Sequence, residues 1–338
     1  MSVNFSGWTS EWRILEFPSF GAYSFVGDAA QVLVYDRVLT TAERQRVERY
    51  LSAQWAISLP PQVSNLDAQD WINRVYSNGG TVSTATAAAV NQFCTDIENA
   101  PGGSIRDRFL RLNLFCGSFQ GAFVPLYRSA SFGGSPLGNA TDTNLGSPSF
   151  LVGDYSESSG LQGNGSSKYL NTGVPMNFAN LRDYHLSSYV SSITSGGPGF
   201  IGADTNGDGV SPRAFQALVS FASATRIWVW YNIATSFIQA DNSSNSYAPG
   251  LLTGVGSATA NSLYVGSSSV ASAGAGSNET ISQTFPIYVF AHNGRNASVL
   301  AYANARLGGY SLGLAMTATQ VGHYNTALAA FNAAMGRA

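Results

Sequence analysis

Asp204-Thr-Asn-Gly-Asp-Gly209 carries oxygen ligands at alternate positions and a glycine for the turn. That is how a calcium loop begins, with Asp204, Asn206 and Asp208 converging on one ion. The pattern then breaks, because Pro212 and Phe215 stand where a later ligand and the bidentate Glu belong. Asn-Gly and Asp-Gly are also strong hairpin-turn dipeptides, so the segment reads first as a turn and only secondarily as a calcium site. No other cofactor is expected.

Arg226-Ile-Trp-Val-Trp-Tyr-Asn232 alternates. Trp228 and Trp230 fall on one face of a strand and Ile227, Val229 and Tyr231 on the other. Two indoles on a solvent face would stack on sugar rings. The same pattern also fits an inner strand covered on both faces. Hydrolysis of a glycan needs two carboxylates on either side of the scissile bond. After position 100 the only Glu residues are Glu157 and Glu279, each isolated. His185, His292 and His323 lie at no metal-ligand spacing, and Cys94 and Cys116 sit in apolar settings that suit buried thiols. No nucleophile elbow or phosphate loop occurs. The chain is therefore expected not to be an enzyme.

The elements that must position these residues fall into three stretches. Residues 1–57 contain short strands and then a helix opened by the capping box Thr40-x-x-Glu43. Its apolar face would be Val47, Leu51 and Trp55. Residues 58–116 open on a Pro-Pro linker and turn helical. A first helix stops at Asn78-Gly-Gly80, a second runs 85–97 behind Ser83 or Thr84, and a third is expected over 105–115. Arg106, Asp107, Arg108 and Arg111 would form a solvated face on that third helix. Residues 117–338 change character: Gly, Ser, Asn and Thr separate short apolar runs, an all-β signature closed by a helix behind Thr317-x-x-Gln320. The expected fold class is mainly β.

Composition narrows the partners. Charged residues make up 11% of the 338, and Lys168 is the one lysine among 17 basic residues. The surface must use Ser, Thr, Asn, Gln and Gly instead, as β-rich extracellular and virion proteins do. A net charge of -2 without a basic block makes nucleic acid an unexpected partner. The N-terminus has no apolar signal segment, and no long apolar run is present to engage a membrane.

The strand-and-helix unit 31–55 is repeated near the other end as 306–335, with Tyr35 and Leu39 matching Tyr310 and Leu314, and Leu51 matching Leu328. Gly160-Leu-Gln-Gly-Asn-Gly-Ser-Ser-Lys-Tyr-Leu-Asn-Thr-Gly173 adds an opening motif, followed by Asp183-Tyr-His-Leu and Ile201-Gly-Ala. Together these resemble a concanavalin A-like (laminin G-like) jelly-roll sandwich. With the helical stretch before it, the chain resembles a group of bacteriophage structural proteins. The resemblance implies a non-enzymatic virion protein of a tailed phage, assembled in the bacterial cytoplasm. It would display the sandwich on capsid or tail as a decoration or fibre, with host-surface glycan as the ligand for attachment. The alternative is a secreted or surface carbohydrate-binding lectin module, supported by Trp228 and Trp230. Residues 1–57 hold only the closing part of a sandwich. Val32, Val34, Val47, Leu51 and Trp55 are therefore expected at an interface with another virion protein or a second copy, giving a homo-oligomer.

Overall fold

The computed structural model describes residues 31, 33–55, 59–131, 134–179, 183–195, 199–204, 215–221, 226–233, 236–241, 249–274, 285–294 and 298–337. The chain divides into two compact units, Met1–Leu59 and Pro60–Ala338.

In the first unit, helix α1 (Thr41–Trp55) starts as its capping box requires. The backbone N–H of Glu43 donates to Thr40 Oγ1, and Thr40 N–H donates to Glu43 Oε2 at 3.0 Å. Arg37 adds a second anchor to the Glu43 carboxylate. That pairing holds the carboxyl down to about 2. The strand expected before it is absent from the described residues of 31–40. A strand persists only where a partner satisfies its backbone groups, and among the described residues no such ladder reaches this segment. Val34 and Trp55 are exposed at 51% and 44%, Val47 and Leu51 are half-buried, and Val32 lies outside the described residues.

The second unit is mainly β, with two sheets and helices against one of them. The first described sheet has eight strands: β1 (Phe109–Asn113), β3 (Tyr155–Ser156), β4 (Gly160–Gln162), β6 (Tyr184–Ser195), β11 (Gly250–Gly256), β12 (Ala260–Val265), β13 (Ser268–Gly274) and β17 (Asn304–Gly313). Their order is β13-β12-β11-β6-β17-β4-β3, with β1 also on β17. The second described sheet has nine: β2 (Thr143–Leu145), β5 (Tyr169–Pro175), β7 (Gly199–Asp204), β8 (Phe215–Phe221), β9 (Arg226–Ile233), β10 (Ser236–Asp241), β14 (Pro286–Val289), β15 (His292–Gly294) and β16 (Ser298–Leu300). The main path runs β10-β9-β8-β7-β14-β5-β2.

Alternation along the strands builds two apolar cores. Leu170, Val174, Ile201, Ala203, Ile287 and Val289 of the nine-stranded sheet meet Leu186, Val190, Leu252, Leu263 and Leu307 of the other. The opposite face of the eight-stranded sheet presents Phe109, Leu251, Val255 and Tyr264 to the helices. Those are α2 (Leu66–Ser77), α3 (Thr84–Glu98) and α4 (Ala318–Ala334). Each is capped as its sequence dictates: Asn65 Oδ1 accepts from Asp67 and Ala68 N–H, Ser83 Oγ accepts from Thr86 N–H, and Thr317 and Gln320 cap reciprocally. The layers are thus helices, eight-stranded sheet and nine-stranded sheet.

The third expected helix is corrected. Residues 106–108 make one 3-10 turn and 109–113 form β1, paired with β17 from Phe109↔Gly313 to Asn113↔Tyr310. Phe109 and Leu112 are fully buried, Phe109 edge-on to Tyr324 of α4, so tertiary burial overrides local helix preference. The solvated charged face is corrected with it. Arg106 is buried with Asp67, and Arg111 with Asp142.

The turn after β4 is set by Asn164, whose side-chain oxygen accepts from the N–H groups of Ser166, Ser167 and Lys168. Gly160 itself has φ +88°, and a Cβ there would overlap the carbonyl of Leu307 on β17. Gly160→Ala is therefore expected to cost about 2 kcal/mol or more, read as a lower thermal midpoint.

Candidate functional site

Among the described residues, α-helices pack against the outer side of the eight-stranded sheet only. Every α-helical residue of the described cores belongs to the cluster on the eight-stranded sheet. The outer face of the nine-stranded sheet is built from the residues that alternate with its core positions. On β5, Leu170, Thr172 and Val174 are buried while Tyr169, Asn171, Gly173 and Pro175 are half-buried. On β14, Ile287 and Val289 enter the core and Tyr288 alternates with them, itself buried at 7% exposure beneath its neighbours.

Register carries this face across the sheet. Thr143 pairs with Asn171, Asn171 with Tyr288, Tyr288 with Gly202, Gly202 with Ala217, Ala217 with Trp230, and Trp230 with Gln239. Directly paired residues share a face. One transverse row therefore holds Tyr288 and Trp230 with two small residues, Gly202 and Ala217, between them. Tyr288 and Trp230 are three strand steps apart, roughly 14 Å at the usual spacing. Trp228 follows one row along, paired with Val219 and Asp241. The core positions Ile201 and Ala203 lead by the same register to Leu218 and Gln216, then to Val229 and Tyr231. By register, the tryptophan positions of β9 alternate with those that pair through to Ile201 and Ala203.

The tyrosine end of the row is a cluster. Tyr169 and Tyr288 have ring centroids 4.8 Å apart, tilted by 40°, and Tyr302 meets Tyr169 edge-on at 6.2 Å. Burial raises the phenols of Tyr169 and Tyr288 above their ordinary value, and the neighbouring tyrosines add to the shift. Both stay protonated donors at neutral pH. Sequence reasoning found Trp228 and Trp230 from alternation but missed Tyr169 and Tyr288. Their strands lie more than a hundred residues apart, and only sheet order joins them.

Two outer-face carboxylate positions, Asp204 and Asp241, lie three strands and two rows apart, from Asp204↔Phe215 to Asp241↔Trp228. That separation is roughly 19 Å between backbones, far beyond the roughly 5–10 Å that glycoside hydrolysis uses. For calcium, Asp204 ends β7, while Asn206 and Asp208 lie outside the described residues. Among the described residues no group of three His, Cys, Asp or Glu side chains is placed to hold a metal ion. Cys94 and Cys116 are buried free thiols, both pushed well up by burial. No described helix is long and apolar enough to cross a membrane.

No family model matches the chain, and no curated protein matches it. Solved structures do. A Trypanosoma rangeli sialidase mutant with trans-sialidase activity matches at 12% identity and TM-score 0.42, over 71% of this chain and 37% of its own. A NanB sialidase variant from Streptococcus pneumoniae matches at 14% identity and TM-score 0.37, over 48% of this chain and 27% of its own. The CBM40 of a Ruminococcus gnavus IT-sialidase, bound to alpha2,3 sialyllactose, matches at 8% identity and TM-score 0.34, over 44% of this chain and 89% of its own. The chain spans less than half the length of the sialidases it resembles. The expectation of a virion structural protein is corrected here. These similar structures are sialidases and a glycan-bound module, and none of them is a virion protein.

Proposed function

We propose that the chain is a non-hydrolytic carbohydrate-binding module with a concanavalin A-like jelly-roll architecture. Its ligand lies across the outer face of the nine-stranded sheet. The observation that supports this most is the row Asn171–Tyr288–Gly202–Ala217–Trp230–Gln239, in which two aromatic positions flank a floor of small residues. A sugar ring buries its apolar C–H face on an aromatic ring while its hydroxyls reach amides at the rim.

The test is a glycan array with the full chain, followed by calorimetry on the best ligand. Trp230→Ala and Tyr169→Ala are each expected to weaken binding at least tenfold, about 1.4 kcal/mol, with no reducing sugar released. Binding to no glycan, or affinity unchanged in both variants, would overturn the reading.

A further inference from the structure

Away from that face, α2, Arg106 of the 3-10 turn, and residues Leu126, Arg128, Ser129, Gly134 and Pro136 line a half-open cavity of about 180 Å³. Its charged lining is Asp67, Asp70, Arg74, Arg106 and Arg128. Four of these five are paired. Arg106 grips Asp67 with Nε at 2.6 Å and Nη2 at 3.2 Å. Its Nη1 donates to the carbonyls of Phe109, Ser129 and Ala130. The guanidinium also stacks over the Tyr127 ring, 3.6 Å from its centroid. Arg74 pairs with Asp70 at 2.7 Å and donates to the carbonyls of Pro125 and Leu126. These two guanidinium groups are consumed by the fold.

Arg128 is different. It is half-buried at the cavity wall, and its guanidinium makes no hydrogen bond or ion pair among the described residues. Two carboxylates therefore face three guanidinium groups, and the cavity keeps one uncompensated positive charge. Arg74 feels these neighbours. Its pKa is lowered first by burial, against which Asp70 acts, and the like charges of Arg128 and Arg111 add to the lowering.

We propose that this cavity is a binding site for a small carboxylate anion, held by the fork of Arg128. Three features select that class. The charge deficit is a single unit. The free donor is a planar guanidinium, which matches the two oxygens of a carboxylate in bidentate fashion. The volume exceeds the roughly 150 Å³ cavity that accommodates benzene, so an acid of similar size fits. Asp67 and Asp70 exclude dianions by repulsion unless these are protonated once. The site does not depend on the carbohydrate reading.

The experiment is an NMR titration of the arginine side-chain N–H signals of the full chain, at constant chloride. The probes are sodium acetate, sodium benzoate and, as a neutral isostere, acetamide. Saturable one-site shifts with either acid and none with acetamide are the expected result. Arg128→Gln should weaken acid binding at least tenfold, while Trp230→Ala leaves it unchanged. The thermal midpoint of Arg128→Gln should match the parent, because the removed group bonds to nothing. If that variant is misfolded, Arg128→Lys decides. It keeps the charge without the fork, and at least threefold weaker binding sustains the proposal. Shifts that do not saturate, an equal response to acetamide, or undiminished binding in the folded Arg128 variant would overturn it.

Discussion

Replacing Asp142 with Ala is expected to destabilise the Pro60–Ala338 unit by about 3–5 kcal/mol, because it strands a buried cation. Arg111 and Asp142 are both 0% exposed in their side chains and sit 2.7 Å apart. Tyr310 of β17 donates to Asp142 Oδ1 at 2.7 Å and accepts from Arg111 Nε at 3.0 Å. Asn113 donates to the other carboxylate oxygen, and Arg111 Nη1 donates to the carbonyls of Leu137 and Asn139. Every strong polar atom is satisfied, so the network joins β1, β17 and the loop 137–142 in one arrangement. Removing the carboxylate leaves the guanidinium in a dry core without its counter-charge. Denaturant unfolding should show the loss as a lower midpoint. The double variant Arg111→Met, Asp142→Leu should recover much of it, since matched apolar groups avoid desolvation altogether. A single variant within about 1 kcal/mol of the parent would mean that water reaches this site.

Acid should weaken the same unit well above the range where carboxylates titrate. His185 is fully buried, with Nδ1 2.8 Å from the Leu314 carbonyl and Nε2 3.0 Å from Ser311 Oγ. The carbonyl only accepts, so Nδ1 carries the proton and Nε2 accepts from the serine. Burial holds this imidazole down to about 4, with the nearby Arg108 charge acting the same way. Burial alone holds His292 down to about 4 as well. Both values lie below the ordinary 6.5. Between pH 6.5 and 4 the unfolded chain therefore binds protons that the folded one refuses. Stability is complete above about pH 6.5 and falls as the pH drops toward 4. The loss is about 3 kcal/mol per histidine by the bottom of that window. Urea midpoints at pH 7.5, 5.5 and 4.5 check the slope, and His185→Gln should remove about half of it. A flat profile across that range would show that both imidazoles protonate inside the fold.

The sequence by itself determined what depends on neighbours along the chain. Capping boxes at Thr40 and Thr317, the Asn65 and Ser83 caps, the period-2 strands and the Asn164 turn are all local, because each bond closes within four residues. The apolar setting of Cys94 and Cys116 already marked them as buried, and Trp228 and Trp230 were visible as one face of a strand. Tertiary structure alone decided the rest. Arg106 and Arg111 look like solvated charges until Asp67 and Asp142, 39 and 31 residues away, arrive beside them. Phe109–Asn113 becomes a strand because β17 offers a ladder, whereas residues 31–40, with a similar pattern to β17, find none among the described residues. The candidate face follows the same logic. Tyr288 and Trp230 belong to one row only through the order β14-β7-β8-β9, and sheet order is fixed by core burial and register, which local propensity does not encode.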